Sequence, residues 1–530
     1  MAFGRPKRRL DHEDIEQKET KMQTASYWSA TRLLPAFPAI DRDIEVDVVV
    51  VGAGLTGITT AYLLKQEGAR VALIERDRIA AGDTSRTTAH LTYVTDERLH
   101  KLADAFGNDA AKAFWEAGAA AIDAIAAIAG QTQVDCGLHW TPGYLHASMW
   151  DKDATERQGL EKDAELARAF GFDATFVEHV PFANRPGVRF AHQAKFHPLK
   201  YLEPLVSAIP GDGSFVFEHT TMEDVDDKPM VVHAGGRKIR CDYLVIATHN
   251  PLMGKKGVVT ATLFQSKLSL YTSYVLGARV PKGTVPEALF WDTSEPYYYL
   301  RMDPHADHDY VIFGGADVKT GQEDDANQVF QRLAERLRSV LPMATIQHRW
   351  IGQVVETDDG LPFIGENAHR EFIATGFCGN GFTLGTLSAM MARDRYFNRK
   401  NPWFDLFRVD RRPFHGGLWR YVKENLDYPY YLMRDRFARA ETDTLDDVKK
   451  GEGKIVRLHG RKFAAYRDDA GHVTVCFLVC THLHCLVRWN AVDHIWDCPC
   501  HGSRFHATGA VLRGLAEAPL EPVDLAALQA

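Results

Sequence analysis

Residues 48–75 read Val48-Val-Val-Val51, Gly52-Ala-Gly54-Leu-Thr-Gly57, a helical stretch to Glu67, Gly68, and Arg70-Val-Ala-Leu-Ile-Glu75. Four consecutive valines fit a strand buried on both faces, as in a parallel sheet. The glycines stand where such a strand turns into a helix. Gly52 permits the tight turn, Gly54 lets the backbone approach a pyrophosphate, and Gly57 lets helix and strand pack closely. The helix N-terminus supplies N–H groups and partial positive charge for phosphates. Glu75 ends the second strand 23 residues after Gly52, placed to accept hydrogen bonds from a ribose 2′-OH. A lone G-x-G-x-x-G means little. Inside a strand–turn–helix–strand unit it predicts a doubly wound α/β domain that binds a dinucleotide.

Working outward, 530 residues are too many for one ordinary core. Hydrophobic residues are 45% and charged residues 25%, which excludes disordered, collagenous and coiled-coil chains. A net charge of −8 excludes a coat for nucleic acid or anionic lipid, since both need a basic face. No uninterrupted apolar run reaches the length of a membrane helix. The basic cluster Lys7-Arg8-Arg9 has no apolar segment after it, so the expectation is a cytoplasmic protein with no membrane span. Residues 1–45 read as an N-terminal extension. Residues 98–130 are Ala-rich and helical, and residues 131–345 mix short strands with turns. Residues 396–440, rich in Arg, Phe and Tyr, read as a helical linker. From about residue 441 a compact β-rich module begins.

Further segments narrow the dinucleotide. Ala80-Ala-Gly82-Asp-Thr84-Ser85-Arg-Thr-Thr88-Ala-His90 is a small, hydroxyl-rich loop, and Cys241 to Ala247-Thr248 is an apolar strand ending in a small turn. Trp350-Ile-Gly352 leads to Thr357-Asp-Asp-Gly360-Leu-Pro362-Phe-Ile-Gly365, then Ala374-Thr-Gly376-Phe-Cys-Gly379-Asn-Gly381-Phe382-Thr383-Leu-Gly385. In this order over about residues 45–395, these elements resemble the D-amino-acid-oxidase/glycine-oxidase family of FAD-dependent oxidoreductases. The resemblance implies a Rossmann-like FAD-binding domain with an interleaved mixed-sheet substrate domain, over residues 46–395. It implies Glu75 and Arg76 at the adenosine, and the backbone of Met222 at the adenine. Thr84, Ser85 and Thr88 would line the phosphate and flavin side, with Ala247 at the cofactor turn. Gly381, Phe382 and Thr383 would open a helix whose N-terminus stabilises the negative charge of reduced flavin. Noncovalent FAD is favoured, because covalent flavin histidines in related enzymes sit nearer the position of Arg86 than that of His90.

The sharpest signal lies near the other end. Cys480-Thr-His482-Leu-His484-Cys485 is followed, after twelve residues, by Cys498-Pro-Cys500-His501-Gly-Ser503. Structural zinc sites favour paired C-x₂₋₄-C and H-x₃₋₅-H spacings, and these boxes do not match that pattern. They resemble the Rieske [2Fe–2S] module, a small all-β domain in which one iron takes two thiolates and the other two imidazoles. By that resemblance Cys480 and Cys498 hold one iron, His482 and His501 hold the other, and Cys485 and Cys500 form a disulfide. Val487-Arg-Trp-Asn490 and Trp496-Asp-Cys498 through Phe505 resemble a smaller family that fuses a flavin domain of this type to a C-terminal Rieske domain. Three departures stand out. His484 replaces a glycine, Phe505 replaces the tyrosine of high-potential members, and Leu515 replaces a proline in the covering loop. The missing tyrosine donor predicts a lowered potential.

His305, Asp307, His308 and Asp309 imitate a facial-triad iron site, but between strand-like 297–301 and 310–314 they read as a polar hairpin loop. Arg86 reads equally as an active-site cation or a phosphate partner. Related enzymes often grip a substrate carboxylate with an arginine two residues after the Trp-x-Gly glycine. Val354 stands there. Tyr297, Tyr299 and Arg301 are therefore the candidate substrate-pocket residues by position. The expected function is a dehydrogenase for a small amine or amino acid, with electrons leaving FAD through the cluster to an external acceptor (ferredoxin, cytochrome or quinone). Two alternatives are a reductase component feeding an oxygenase and a non-enzymatic redox sensor.

Overall fold

The computed structural model describes residues 25–151, 155–250, 267–323, 325–411, 434, 440–482, 484–516 and 518–524. The Lys7–Arg9 cluster and most of the expected 396–440 linker lie outside these residues.

Val48–Val51 is a central strand, buried throughout. It pairs in parallel with Val71–Ile74 on one side and Tyr243–Ile246 on the other. Phe215–Phe217 and Glu371–Thr375 extend this sheet in parallel, and Phe363–Ala368 closes one edge as an antiparallel strand. Helix Leu55–Gln66 follows the glycine turn, and helix Gly381–Tyr396 packs against it. A small sheet of Ile44–Glu45, Arg237–Arg240, Met230–Ala234 and Met222–Asp227 sits beside this layer.

A nine-stranded mixed sheet forms the second body. Its longest strands, Leu268–Val280, Asp309–Lys319 and Thr345–Thr357, run antiparallel. The Ala-rich region forms two helices, Leu99–Phe106 and Asn108–Thr132, broken at Gly107, whose φ is +86°. Among the described residues, Asn108–Thr132 alone is long and apolar enough to cross a membrane, and half of that stretch is buried inside the protein. Phe114, Trp115, Ile122 and Ile125 on this helix join the main hydrophobic core. The 305–308 segment is a hairpin loop, with His305 N–H donating to the His308 carbonyl at 3.0 Å. Near the start of the described chain, Trp28 is buried and its indole donates to the Thr87 carbonyl at 2.7 Å.

The described first part of the expected 396–440 linker needs correction. Residues 397–411 form turns, not helix. Pro402 cannot continue an α-helical ladder, the Asn401 side chain accepts from Trp403 N–H, and Arg411 is drawn back onto Asp359 at 2.8 Å. The C-terminal module consists of a three-stranded antiparallel sheet, Glu452–Leu458, Arg461–Arg467 and Val473–Phe477. A four-stranded sheet, Arg488–Asn490, Ile495–Asp497, Arg504–His506 and Val511–Arg513, completes it.

Candidate active site and metal centre

The glycine turn is tight for steric reasons. Gly52 has φ +96°, and a Cβ there would lie 2.7 Å from the Ala247 carbonyl oxygen. A Cβ at Gly57 would lie 1.8 Å from the Gly52 carbonyl oxygen, so only glycine allows this helix–strand contact. Thr84 Oγ1 accepts from Leu55 N–H at 3.0 Å, tying the hydroxyl-rich loop to the helix start. Glu75 Oε2 accepts from Ala53 N–H at 2.8 Å, and burial raises its carboxyl above the ordinary range.

This turn opens into a cavity of about 1270 Å³. Gly52, Gly54, Glu75, Arg76, Thr84, Thr88, Met222, Ala247, Gly381 and Phe382 all line it. Gly57, Ser85 and Thr383 stand behind the wall. The Ser85 hydroxyl donates to the Gly82 carbonyl, and the Thr383 hydroxyl donates to the Thr92 carbonyl at 2.9 Å. Asn380 caps helix Gly381–Tyr396 and donates to the Val94 carbonyl at 2.9 Å. Those two bonds hold the helix N-terminus at the cavity edge. A dinucleotide fits this arrangement, since the cradle's close contacts would not admit Cβ atoms and an open helix start supplies N–H donors.

The three pocket candidates separate. Tyr297 and Tyr299 line the cavity, their rings 5.8 Å apart. Arg301 does not line it. Its guanidinium is buried, pairs with Asp303 at 2.9 Å, and donates to the carbonyls of Thr88, Ala89 and Phe196. With those partners in place, Arg301 is a structural brace with no free face for a substrate. His90 lines the cavity edge-on to Tyr299, and burial together with Arg301 holds it neutral, down at about 3. Arg86 lines the cavity as well, but its Nη1 pairs with Asp493 of the C-terminal module at 2.6 Å.

In that module two loops converge. The Cys480 and Cys498 thiols share a hydrogen bond, which with burial holds Cys498 well above the ordinary thiol range. The rings of His482 and His501 lie 4.9 Å apart and nearly perpendicular. Burial lowers His482 to about 4 and His501 to about 3, so both imidazoles are neutral, the form that binds metal. His482 Nδ1 is buried without a hydrogen-bond partner. Cys485 and Cys500 are disulfide-bonded, and their sulfurs lie within 4.8 Å of the Cys498 sulfur. Two thiols and two neutral imidazoles on loops tied together are the donor set of a mixed-ligand [2Fe–2S] cluster.

A model for the FAD-dependent oxidoreductase family matches residues 47–395, about two thirds of the chain. The chain belongs to that family. A Rieske [2Fe-2S] domain model matches residues 440–524. The two cofactors of this flavoprotein are therefore FAD and a [2Fe–2S] cluster with Cys and His ligands. A Bacillus subtilis (strain 168) protein named as a Rieske 2Fe-2S iron-sulfur protein, YhfW, is 32% identical over 514 residues, covering 96% of this chain and 99% of its own. Gamma-glutamylputrescine oxidoreductase of Escherichia coli (strain K12) is 24% identical over 438 residues, covering 78% of this chain and 99% of its own. In fold the flavin part resembles glycine oxidase from Geobacillus kaustophilus, with a TM-score of 0.57 and 18% identity, covering 70% of this chain and 99% of that one.

Several residues at the site carried no sequence signal. The flavin domain and the Rieske module meet through the ion pair Asp83–Arg513 at 2.7 Å and through Arg86–Asp493. Gln353 Nε2 donates to the Gly502 carbonyl at 3.0 Å, next to His501. Arg504 donates to Thr272 Oγ1 at 2.6 Å. Thr272 and Gln353 are register partners on neighbouring strands. The pairs that flank them, Tyr271–Val354 and Ser273–Gly352, line the cavity. Gln353 lines the cavity too, as do Asp493, Ile495, His506, Leu512 and Arg513 of the C-terminal module, so strand Thr345–Thr357 touches both the cofactor cavity and the cluster loop. Asp96 and Asp317 also line the cavity. Only Asp317, an aspartate following the apolar run Val311–Phe313 on its strand, offered a hint in the sequence.

Proposed function

We propose that this protein is a dehydrogenase that oxidises a small amine or amino acid and sends the electrons through its Rieske cluster to an external acceptor. The observation that carries this reading is the seating of the cluster loop against the strands that wall the cavity, through Gln353 to Gly502 and Arg504 to Thr272, with the module's own Asp493 and Arg513 lining the same cavity. When bound, FAD accepts a hydride and gives up electrons singly, and the cluster carries them one at a time. In this reading Cys480 and Cys498 hold one iron, and His482 and His501 the other. Gly52, Gly54 and the start of helix Leu55–Gln66 face the pyrophosphate, Glu75 and Arg76 the adenosine, and Met222 the adenine. Thr84 and Thr88 face the phosphates and flavin, and the N-terminus of helix Gly381–Tyr396 sits where negative charge develops. Tyr297 and Tyr299 wall the substrate end. The two matches to named amine and amino-acid oxidoreductases support the reaction class. Long-range delivery to an outside acceptor follows from a module whose chemistry is electron transfer alone.

The test is anaerobic mixing of the holoprotein with a panel of amines and amino acids. The expected result is flavin bleaching by a panel member, followed by the electron paramagnetic resonance signal of the reduced cluster. The Cys480→Ser variant is expected to keep bleaching and lose dye reduction. Bleaching by NADH, with none by any amine or amino acid, would overturn the reading.

A further inference from the structure

The flavin domain does not wall the cofactor cavity alone. Ile495, His506, Leu512, Arg513 and Gly514 of the C-terminal module line it together with the glycine turn. Ile495 and His506 are cross-strand partners, so one pair of this small sheet faces the cavity. The last strand then departs from regular pairing. Arg513 pairs with Arg504 and Val511 with Phe505, which leaves Leu512 as the extra residue of a β-bulge. Regular alternation would send Leu512 and Arg513 to opposite faces. A bulge re-aims side chains, and both residues line the cavity.

These two residues reach two parts of the glycine cradle. The Leu512 carbonyl accepts from Arg76 Nη2 at 2.5 Å. Arg76 follows Glu75, whose carboxylate holds the Ala53 N–H of the turn. Arg513 Nη1 donates to Asp83 Oδ1 at 2.7 Å. Asp83 precedes Thr84, whose Oγ1 accepts from Leu55 N–H and would lie 3.1 Å from a carbon built on Gly54. Strand Val511–Arg513 thus bridges the cradle from the end of its second strand to its hydroxyl-rich loop. Asp83 engages one nitrogen of the Arg513 guanidinium. Among the described residues, its Nε and Nη2 make no hydrogen bond, and neither is sealed in the interior. A guanidinium presents several donors in a fixed fork, so one edge can hold a carboxylate while another meets a phosphate. Burial opposes the Arg513 charge, and a second anion beside it would offset that cost.

Resting on the cofactor placement proposed above, we infer that strand Val511–Arg513 of the Rieske module is itself part of the FAD site. The open edge of Arg513 donates to the pyrophosphate, and the Leu512 carbonyl holds Arg76 toward the adenosine. FAD is then gripped from both modules, so its binding and the docking of the module reinforce one another. The coupling is reciprocal: docking tightens FAD by the same factor by which FAD tightens docking. The inference concerns FAD affinity alone and stands whatever substrate reduces the flavin.

The test uses the full-length protein with its cluster in place, stripped of FAD and titrated with FAD while flavin fluorescence is followed. ADP and adenosine compete for rebinding, as probes with and without the pyrophosphate. Arg513→Met is expected to weaken FAD and ADP about 10- to 100-fold, the range for losing a hydrogen bond to a charged group, and to weaken adenosine less. Arg513→Lys, which keeps the charge, should fall between. Thr272→Val removes the acceptor for Arg504 outside the cavity. It loosens docking without touching the cofactor, so its loss of FAD affinity should be smaller than that of Arg513→Met. Unchanged cluster spectra certify the fold of each variant. Hydrogen exchange across residues 504–514 should slow when FAD is added to wild type, and slow less in Arg513→Met. FAD affinity no lower in Arg513→Met than in Thr272→Val, equal losses for ADP and adenosine, or exchange indifferent to FAD would each overturn the inference. Should Gly57→Ala retain FAD while Arg513→Met loses it, the cradle placement would fall and the module's part in the site would stand.

Discussion

The buried ion pair between Asp83 and Arg513 is expected to hold the Rieske module against the flavin domain. The side chains are only 16% and 12% exposed and meet at 2.7 Å. Burial alone would raise the Asp83 carboxyl, but Arg513, His249 and the Gln353 N–H outweigh it and hold the group well below the usual carboxylate range. Removing one partner of such a pair leaves an uncompensated enclosed charge, at a cost of about 3–5 kcal/mol. Asp83 keeps the Gln353 N–H at 2.8 Å when Arg513 is lost, so Arg513→Met should fall at the low end. About 3 kcal/mol is roughly a hundredfold in the docked-to-undocked ratio. Asp83→Asn should cost a similar amount, because it strands the guanidinium. The double variant should cost less than the sum by about 1–3 kcal/mol, the range for residues in direct contact. Hydrogen exchange measured by mass spectrometry across residues 498–516 of the intact holoprotein reports docking. Since Asp83 is depressed, its contribution is fully present above the unfolded value of about 4. It is lost only as pH falls through the lower, folded value. Protection corrected for intrinsic rate should therefore stay flat from about pH 5 to pH 8. Costs that add to within about 0.5 kcal/mol would refute a coupled pair, and protection that changes across that pH range would refute the sign.

Three further outcomes are expected. Gly57→Ala should abolish FAD retention, because its Cβ would fall 1.8 Å from the Gly52 carbonyl oxygen. The cluster signal should survive, and a variant purified with full flavin absorbance counts against the tight turn. Gln353→Leu removes the donors to Gly502 and Thr320 and strands a buried carbonyl, at about 1–3 kcal/mol. In rapid mixing with a reducing substrate, cluster reduction should slow more than flavin reduction, and equal slowing of both would argue against the Gln353–Gly502 contact as the route. Phe505 is fully buried in the same core cluster as Cys480 and Cys498. Phe505→Tyr should raise the cluster potential in a redox titration by adding a donor. An unchanged or lowered value would show that the hydroxyl does not reach the sulfurs.

Much of this protein was legible in its sequence, because some of its requirements are local. A turn that must pass between strand and helix without Cβ atoms shows as Gly52, Gly54 and Gly57, with Gly57 pressed on the Gly52 carbonyl. Cluster ligands must sit on two short loops, and the proposed ligands Cys480, His482, Cys498 and His501 stand in two compact boxes. The Cys485–Cys500 bridge that the resemblance implied is present. Burial on both faces made Val48–Val51 readable as a central strand. Other features had no local signature. Arg301 looked like a cavity cation by its place on a strand, yet the fold gives its guanidinium to Asp303 and three carbonyls. Residues 397–411 had helix-compatible composition, but Pro402 and the pull of Asp359 on Arg411 turned them aside. Asp96 and Asp317 are 221 positions apart, so their shared cavity end depended on the long strands closing over it. The docking of Gln353 on Gly502 likewise pairs residues 149 apart. By itself, the sequence determined that there are two cofactor modules and which residues form the glycine turn and the two cluster boxes, since backbone sterics and ligand chemistry act over a few residues. Only the tertiary structure decided where the modules touch and which cations are already paired. Coulombic pairing and desolvation act through space and leave no spacing in the chain.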